Sequence, residues 1–477
     1  MERTLIQALA DYATHLSFED LPPQVVSKAN DAIFDLIGCY YGAFPDPICQ
    51  EVLLNSISHS HGEEATLWGT GKKISADEAA MAMGFLGYAL EYDDGVSLGG
   101  HWGSASIPSA IATAEKEGRS GKDLIVAVVC GYDIGTRISQ LYAPLLLSHK
   151  VHFPCAMGFY AAASAVGRLM GLSSEQFALG LSNGGLAPVG PYSTAVSGGQ
   201  IKSMYSGWPD FLGIRLMEWG RKGIGGDVDL FESPDGIGMV FSGKALDEGQ
   251  KAEALSNLGI DFKLMHSYFK PYPCNRWLHA PLYLLQNIIR EKGEIPIAVI
   301  VDGPSFLSLY DTRGDYTKKV KAQYSIPYTL AAMLLHRRCG ICEFETDFRT
   351  SDAIQQMTER IALRKDPELD AKFPSQFVVR VTAKFLDGTE ILKQGGLPWS
   401  PTQPATKQEL IGKFRHLACA TLPQTDLERW ITLYTKGFEK GDNFNQMLSL
   451  LAKPYKPWKE EEEHHNSQLG NPSLDKM

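Results

Sequence analysis

The sequence predicts a mainly α-helical protein with a second, smaller α+β domain. Apolar segments with helical spacing dominate the first 264 residues, strand-like segments lie between 265 and 404, and helical spacing returns from 405 to 452. Because 477 residues are too many for one hydrophobic core, we expect two domains. We predict an all-helical domain from residues 1–264 and 405–452, an inserted α+β domain from 265–404, and a polar tail from 453–477, disordered at its end.

The helices of the first half follow from apolar periodicity. Apolar residues recur with helical spacing from Val25 to Tyr40. The segment from Ser75 to Tyr92 is rich in Ala and Met without an internal proline, and Ser75 opens a capping-box pattern. Two further apolar helices are predicted from Lys122 to Tyr142 and from Phe153 to Leu172. The small residues of the latter permit close helix packing.

The α+β segment is predicted from short β-branched and alternating stretches. Ile297 to Gly303 is typical of a buried strand, and apolar residues alternate with polar ones from Phe377 to Phe385. Asp387-Gly388 supplies a turn, so we predict a half-buried hairpin. Helical patterning resumes at Thr406.

Charge, hydropathy and cysteine content exclude several classes of function. The net charge of −10 argues against non-specific binding to nucleic acid or membrane surfaces. No apolar run reaches the roughly 18 residues typical of a transmembrane helix, and the N-terminus lacks signal-peptide features, so we expect a cytoplasmic protein. The eight cysteines are scattered, and the CxxC from Cys339 to Cys342 lacks a second ligand pair, so we expect free thiols and no metal.

Two segments carry acid–base groups. Glu91 to Pro108, EYDDGVSLGGHWGSASIP, places three carboxylates and His101 in flexible backbone, a combination suited to proton transfer on carbon. His149 and His152 precede an Ala-rich helix, whose dipole disfavours the charged imidazole, so either could act as a base. An ordinary turn and surface histidines are the structural alternatives.

Three further segments supply cations and a phenol. Lys202 follows two glycines, a setting suited to carboxylate binding. Tyr324 and Tyr328 flank Pro327, which places Tyr328 in the first turn of a helix, where its hydroxyl could donate a proton. A proline-rich segment, FKPYPCNRWLHAP, presents four groups together: Lys270, Cys274, Arg276 and His279. Solvated loops and a core tyrosine are the alternatives.

Together these motifs resemble the MmgE/PrpD family over about residues 5 to 450. The matching pieces are EYDDG…HWGSASIPSA, HFPCAMGFYAAASAVGRLMGL, GGQIKSMYSGW, FESPDGIG, KPYPCNRWLHAP, AQYSIPYTLAAMLL and DPELDAKFPSQFVVRVTAKFLDGTE. The resemblance implies a helical domain built from both chain ends, an α+β lid, a homodimer, and a site between the domains without metal or organic cofactor. Family members include 2-methylcitrate dehydratase, cis-aconitate decarboxylase and iminodisuccinate epimerase.

The resemblance also implies site residues. It assigns catalytic roles to Asp93, His101, His152, Lys202 and Tyr328, and we assign substrate binding to Glu91, Lys270, Cys274, Arg276 and His279. The chain departs from the family pattern directly after the Asp-Asp pair: family members commonly have a Thr and a His there, whereas this chain has Gly95 and Val96. In the Lys202 segment GGQIKSMYSGW, Ser203 and Ser206 stand where the family often has a basic residue and a His. With fewer side chains to donate hydrogen bonds to the substrate, the site is expected to bind a substrate with a different or less charged arm.

We therefore predict a cofactor-independent lyase for a citrate- or aconitate-like di- or tricarboxylate, with dehydration of a 2-methylcitrate or alkylcitrate favoured. The alternatives are a cis-aconitate decarboxylase forming itaconate, an epimerase or isomerase of a dicarboxylate such as iminodisuccinate, and a non-catalytic carboxylate-binding paralogue. The expected partners are the small carboxylate and a second copy of the chain, with no nucleic acid and no membrane.

Overall fold

The computed structural model describes residues 3–187 and 190–458, apart from the side chains of Phe153, Cys155, Ala156 and Ala195. Most of the predicted polar tail, residues 459–477, lies outside the described residues. Helices dominate the structure. Those of eight or more residues are Leu5–His15, Pro23–Ala43, Pro47–His59, Ala76–Tyr88, Trp102–Lys116, Gly121–Ser148, Phe153–Met170, Ser174–Ser182, Met204–Arg221, Glu248–Leu255, His279–Lys292, Ile326–His336, Lys407–Ala418, Gln424–Lys436 and Asn443–Leu451.

Shorter helical turns connect these elements. The short α-helices are Tyr192–Val196, Ile237–Ser242, Lys319–Gln323, Thr346–Arg349, Asp352–Thr358 and Pro367–Lys372. The 3₁₀ turns are Phe18–Asp20, Asn183–Leu186, Gln200–Ser203, Lys263–His266, Arg276–Leu278, Ser305–Tyr310 and Ile341–Phe344.

The helices predicted from periodicity are present, with one correction at a helix start. Small residues let Gly121–Ser148 pack closely on Phe153–Met170: a Cβ on Gly135 would lie 2.7 Å from that of Ala161. Ser75 is the N-cap of Ala76–Tyr88, but its side chain makes no capping hydrogen bond. The capping box predicted there is therefore wrong.

The main sheet has four strands, in the order Ile361–Lys365, Ala298–Gly303, Val379–Lys384 and Glu390–Gly395. The first two are parallel, and the others pair antiparallel. The predicted hairpin is confirmed as the last two strands. Two small antiparallel pairs complete the strands: Ala65–Leu67 with Lys72–Ile74, and Gly95–Val96 with Ser267–Tyr268.

Besides a small cluster formed by Tyr88 and Tyr205, two large hydrophobic cores are present among the described residues. One contains residues between 5 and 269 together with residues between 410 and 455, and the other lies between 272 and 385. Phe34 stacks on Phe414 and Tyr434 with ring centroids 4.2 and 4.0 Å away, so both chain ends share the first core. The structure is mainly helical with small mixed sheets; the domain limits at 265 and 405, and the lid, stay predictions.

One helix, Gly121–Ser148, is long and apolar enough to cross a membrane by length and composition. However, 89% of its most apolar 18-residue window is buried inside the protein. Its apolar surface is therefore accounted for by packing in the first core.

Candidate active site

The backbone at Glu91 is the central feature of the site. The helix Ala76–Tyr88 ends just before it, and Glu91 adopts a left-handed conformation with a φ of 57°. This conformation is unfavourable for a residue with a side chain, so neighbouring contacts must hold it. Lys270 Nζ donates to the Glu91 carbonyl at 3.1 Å, and Lys413 Nζ donates to the Tyr92 carbonyl at 2.7 Å. Side chains distant in sequence thus fix the loop.

Glu91 brings the two predicted lysines together. Lys202 Nζ donates to one of its carboxylate oxygens, and Lys270 Nζ lies 3.2 Å from the other. Burial alone would raise the pKa of Glu91, but the charges of Lys202, Lys270 and His101 outweigh burial and hold it well below its usual range. Glu91 therefore stays ionised. An ionised carboxylate repels a carboxylate substrate, so its contacts suit holding the lysines rather than the substrate binding that we predicted.

Lys270 is the more deeply buried lysine. Its side chain is 1% exposed, and its Nζ also lies 3.8 Å from Asp93 Oδ1. Burial opposes its charge, but Glu91 and Asp93 together raise its pKa above the usual range. The lysine is therefore a permanent cation in the site.

Asp93 orients His101. Asp93 Oδ2 lies 3.2 Å from His101 Nδ1, and the Asp94 carbonyl lies 2.8 Å from the same nitrogen. Because both neighbours of Nδ1 are acceptors, the network assigns the proton to Nδ1. No hydrogen bond joins Nε2 to any residue in the described ranges, and the ring lines a cavity. This geometry would let His101 accept a proton through Nε2.

Serines extend this network behind Asp93. Ser104 Oγ donates to Asp93 Oδ2 at 2.8 Å and lies 2.9 Å from Ser206 Oγ. Ser206, one of the departures from the family pattern, is therefore joined to the carboxylate that orients His101.

Asp94 has a structural role. It accepts hydrogen bonds from the Tyr132 hydroxyl at 2.7 Å and from the Gly103 amide at 3.1 Å. Burial raises the pKa of Asp94 to about 7. The two consecutive aspartates are therefore different: one faces the histidine, and the other ties the loop to helices.

His152 directly precedes the helix Phe153–Met170, as the sequence predicts; its side chain makes no capping hydrogen bond and stacks on the Tyr205 ring with centroids 4.5 Å apart. Burial, with the charges of Lys202 and His101, lowers the pKa of His152 to about 3. The ring is therefore neutral near pH 7. His149, by contrast, is exposed at the end of the preceding helix.

The structure places Tyr324, rather than Tyr328, at the lysines. The Tyr324 hydroxyl lies 3.5 Å from Lys202 Nζ, and burial raises its pKa well above the usual range, so the phenol keeps its proton. Tyr328 is fully buried in the second core, where its hydroxyl donates to the Glu343 carbonyl. The prediction for Tyr328 is corrected because this helix is buried around its circumference, and the first-turn position points the side chain into the core.

Only two of the four groups in the proline-rich segment line the cavity. Lys270 and Arg276 do, whereas Cys274 and His279 are buried away from it. His279 Nε2 contacts the Cys274 carbonyl at 3.1 Å, and burial lowers its pKa to about 3. The predictions of substrate binding by Cys274 and His279 are corrected: both side chains are buried away from the cavity, and the His279 ring contacts the Cys274 backbone carbonyl instead.

Two cavities meet at Glu91 and Tyr88. The main cavity, of about 440 Å³, is lined by His101, His152, Tyr192, Tyr268, Lys270, Arg276, Tyr310 and Tyr324 among others. The side cavity, of about 390 Å³, is lined by Lys202, Lys318, Lys319 and Gly198 among others. Lys202 reaches from the side cavity to Glu91 and Tyr324, which line the main one. The main cavity is large enough for a small organic acid.

The site thus combines fixed cations, an oriented base and a protonated phenol. Cations aimed at a developing negative charge can stabilise an enolate-like transition state. Among residues 3–187 and 190–458, no group of three or more His, Cys, Asp or Glu is arranged to hold a metal ion. The sequence analysis did not identify Tyr268 as a site residue. The one available signal is that Tyr268 lies two residues before Lys270, a spacing that in extended backbone places both side chains on the same face.

Comparison with known proteins identifies the family. Residues 7–249 match the MmgE/PrpD N-terminal domain, and residues 272–435 match the MmgE/PrpD C-terminal domain. The chain is 23% identical to the cis-aconitate decarboxylase of Aspergillus terreus, over 94% of this chain and 96% of that protein.

Two further relatives agree over similar lengths. Identity is 23% with the cis-aconitate decarboxylase-like protein oryM of Aspergillus oryzae, over 94% of this chain and 98% of the relative. It is 21% with the human cis-aconitate decarboxylase, over 96% of each chain. With both family domains matched over most of its length, the chain belongs to the MmgE/PrpD family.

Proposed function

We propose that this protein is a lyase that acts on an aconitate- or citrate-like tricarboxylate, and that decarboxylation of a cis-aconitate-type substrate is its reaction. The observation that carries the proposal is the meeting of Lys202, Lys270, His101 and Tyr324 around Glu91. The names of the relatives support the choice of decarboxylation.

In this reaction the lysines hold substrate carboxylates. The carbon–carbon bond to one carboxylate breaks and releases CO₂, and its electron pair shifts through the double bond to the carbon beside another carboxylate. Lys202 and Lys270 stabilise that charge. The Tyr324 phenol protonates the carbon and regains its proton from solvent, so the substrate and one proton yield the product and CO₂.

Dehydration of an alkylcitrate is the second candidate. Elimination needs a base for the proton next to a carboxylate and an acid for the departing hydroxyl; His101 and Tyr324 suit these two roles. The sequence favours this reaction because Gly95 and Ser206 stand where the family pattern has other polar side chains. However, Ser206 joins the Asp93 network and the Tyr268 hydroxyl lies beside Gly95, so that reason is weaker.

Proton NMR in D₂O tests the proposal. The purified protein is incubated separately with cis-aconitate, 2-methylcitrate, a longer alkylcitrate, citrate and iminodisuccinate, with Tyr324→Phe as the variant that lacks the proposed proton donor. Itaconate carrying solvent deuterium, formed by the wild type and not by the variant, is the expected result.

The other outcomes separate the alternatives. Loss of water from an alkylcitrate alone would replace the first candidate with the second. Deuterium entering recovered substrate without product would indicate an epimerase or isomerase, and binding without any turnover would indicate a carboxylate-binding protein. The expected homodimer stays a prediction, which light scattering after size-exclusion chromatography tests.

A further inference from the structure

Gly95 and Tyr268 occupy one shared space. They face each other in the antiparallel pair of Gly95–Val96 with Ser267–Tyr268. A Cβ on Gly95 would lie 2.5 Å from the Tyr268 hydroxyl oxygen and 2.7 Å from its Cζ, closer than real Cβ contacts come. Glycine at this position therefore allows the phenol to lie where a side chain at residue 95 would otherwise stand.

Tyr268 is fixed in this place by Arg276. The guanidinium lies 3.9 Å from the Tyr268 ring centroid, and Arg276 Nη1 donates to Ser97 Oγ. Both residues line the main cavity, together with His101 and Lys270. The tyrosine is 7% exposed. The strand pairing and the stacked cation leave the phenol little freedom.

The Tyr268 hydroxyl lies among the charged groups of the site. Burial raises its pKa, while Arg276 and Lys270 lower it and Asp93 and Asp94 raise it, and the net effect is a pKa above the usual range. The phenol therefore keeps its proton and can donate it in a hydrogen bond. A phenol beside a guanidinium is a donor pair suited to a carboxylate.

The geometry points to Tyr268 as a specificity-determining residue: with Arg276, its hydroxyl binds the third carboxylate of the substrate, while Lys202 and Lys270 hold the other two. This inference rests on the proposed function, since it assumes a tricarboxylate. If the inference is right, the Tyr268 hydroxyl supplies a hydrogen-bond donor at the position that a side chain at residue 95 would otherwise occupy. The inference predicts a preference for tricarboxylates over dicarboxylates.

Isothermal titration calorimetry with propane-1,2,3-tricarboxylate and glutarate tests the inference without turnover. These probes differ by one carboxylate. In Tyr268→Phe, we expect the affinity for the tricarboxylate to fall by about tenfold or more, as for loss of one hydrogen bond to a charged group, with glutarate affinity little changed. Gly95→Ala should act in the same direction because its Cβ displaces the phenol. Tyr283→Phe, a partly buried tyrosine of the second core, is the matched control.

Each outcome has a distinct meaning. If the wild type prefers the tricarboxylate and Tyr268→Phe, folded by circular dichroism, keeps that preference, the inference is wrong while the proposed function stands. Equal weakening of both probes would also overturn it, because it would indicate a general effect on the site. If the wild type binds neither probe, both the inference and the tricarboxylate substrate are wrong.

Discussion

Replacement of Lys270 by methionine tests the electrostatics that hold the site together. The substitution keeps most of the side-chain volume and removes the charge. It leaves Glu91 with Lys202 as its remaining lysine partner, and it leaves Asp93 without the cation at 3.8 Å. Both carboxylates are nearly inaccessible to solvent, so water cannot replace the lost partner.

The expected loss of stability is large. Removing one member of a buried ion pair costs about 3–5 kcal/mol because an uncompensated charge stays buried. Since Lys202 still pairs with Glu91, we expect a value near the lower limit, about 3 kcal/mol at pH 7. The exposed Lys318→Met, on the rim of the side cavity, should change the free energy of unfolding by less than about 0.5 kcal/mol.

The effect should also depend on pH. In the wild type the folded-state pKa of Glu91 is lowered, so its contribution is present above the unfolded pKa of about 4.3 and is lost only below that value. Without Lys270, one of the two lysine charges that lower the folded-state pKa of Glu91 is lost, so this pKa rises. The folded variant then takes up protons more readily than the folded wild type as the pH falls, so the stability difference from wild type should narrow, and not grow, from pH 7 to pH 5.

Urea unfolding at the two pH values, followed by circular dichroism, measures both effects. Adding Glu91→Gln to Lys270→Met should recover part of the stability, because the buried charge is removed with its partner. A loss below about 1 kcal/mol at pH 7, or a difference from wild type that grows towards pH 5, would refute this reasoning.

Further predictions concern the acid–base groups. If dehydration is the reaction, His101→Gln should lower kcat by about 100- to 10,000-fold, the range for a general base, and an unchanged pH–rate profile in this variant would then contradict its role. Tyr324→Phe should lower kcat by about 100-fold. Tyr328→Phe should instead lower the free energy of unfolding by about 1 kcal/mol and leave kcat almost unchanged. A large loss of kcat in Tyr328→Phe but not in Tyr324→Phe would contradict the placement of the two tyrosines. Because the pKa of His152 is about 3, it is neutral throughout pH 5–8, so any acidic limb of kcat/KM in that range should persist in His152→Gln.

Much of the fold could be predicted because its elements follow local patterns. The apolar periodicity of Pro23–Ala43 and the alternation in Val379–Lys384 correspond to the helix and strand observed. Periodicity does not determine how a helix ends, however. The predicted helix to Tyr92 ends at Tyr88, because contacts from Lys270 and Lys413 hold the next turn in another conformation.

The candidate site could also be predicted only in part, because local sequence does not determine how side chains pack. His101, Lys202 and Lys270 could be predicted because their residue types suit the chemistry and their motifs match the family. The direction of a side chain depends on packing, which neither the position of Tyr328 in a helix nor the family resemblance determines, so both favour Tyr328 over Tyr324. The contact between Gly95 and Tyr268 joins residues 173 positions apart, and no local pattern indicates it.

The most direct test of the proposed mechanism is the kcat of Lys202→Ala with the substrate that the NMR panel identifies. Lys202 joins Glu91 to Tyr324, and it is assigned to stabilise the charge that develops in the transition state. We predict a kcat lower by about 100- to 1000-fold, the usual loss for one preorganised donor, in a variant that remains folded. A folded variant that loses less than about tenfold would contradict it.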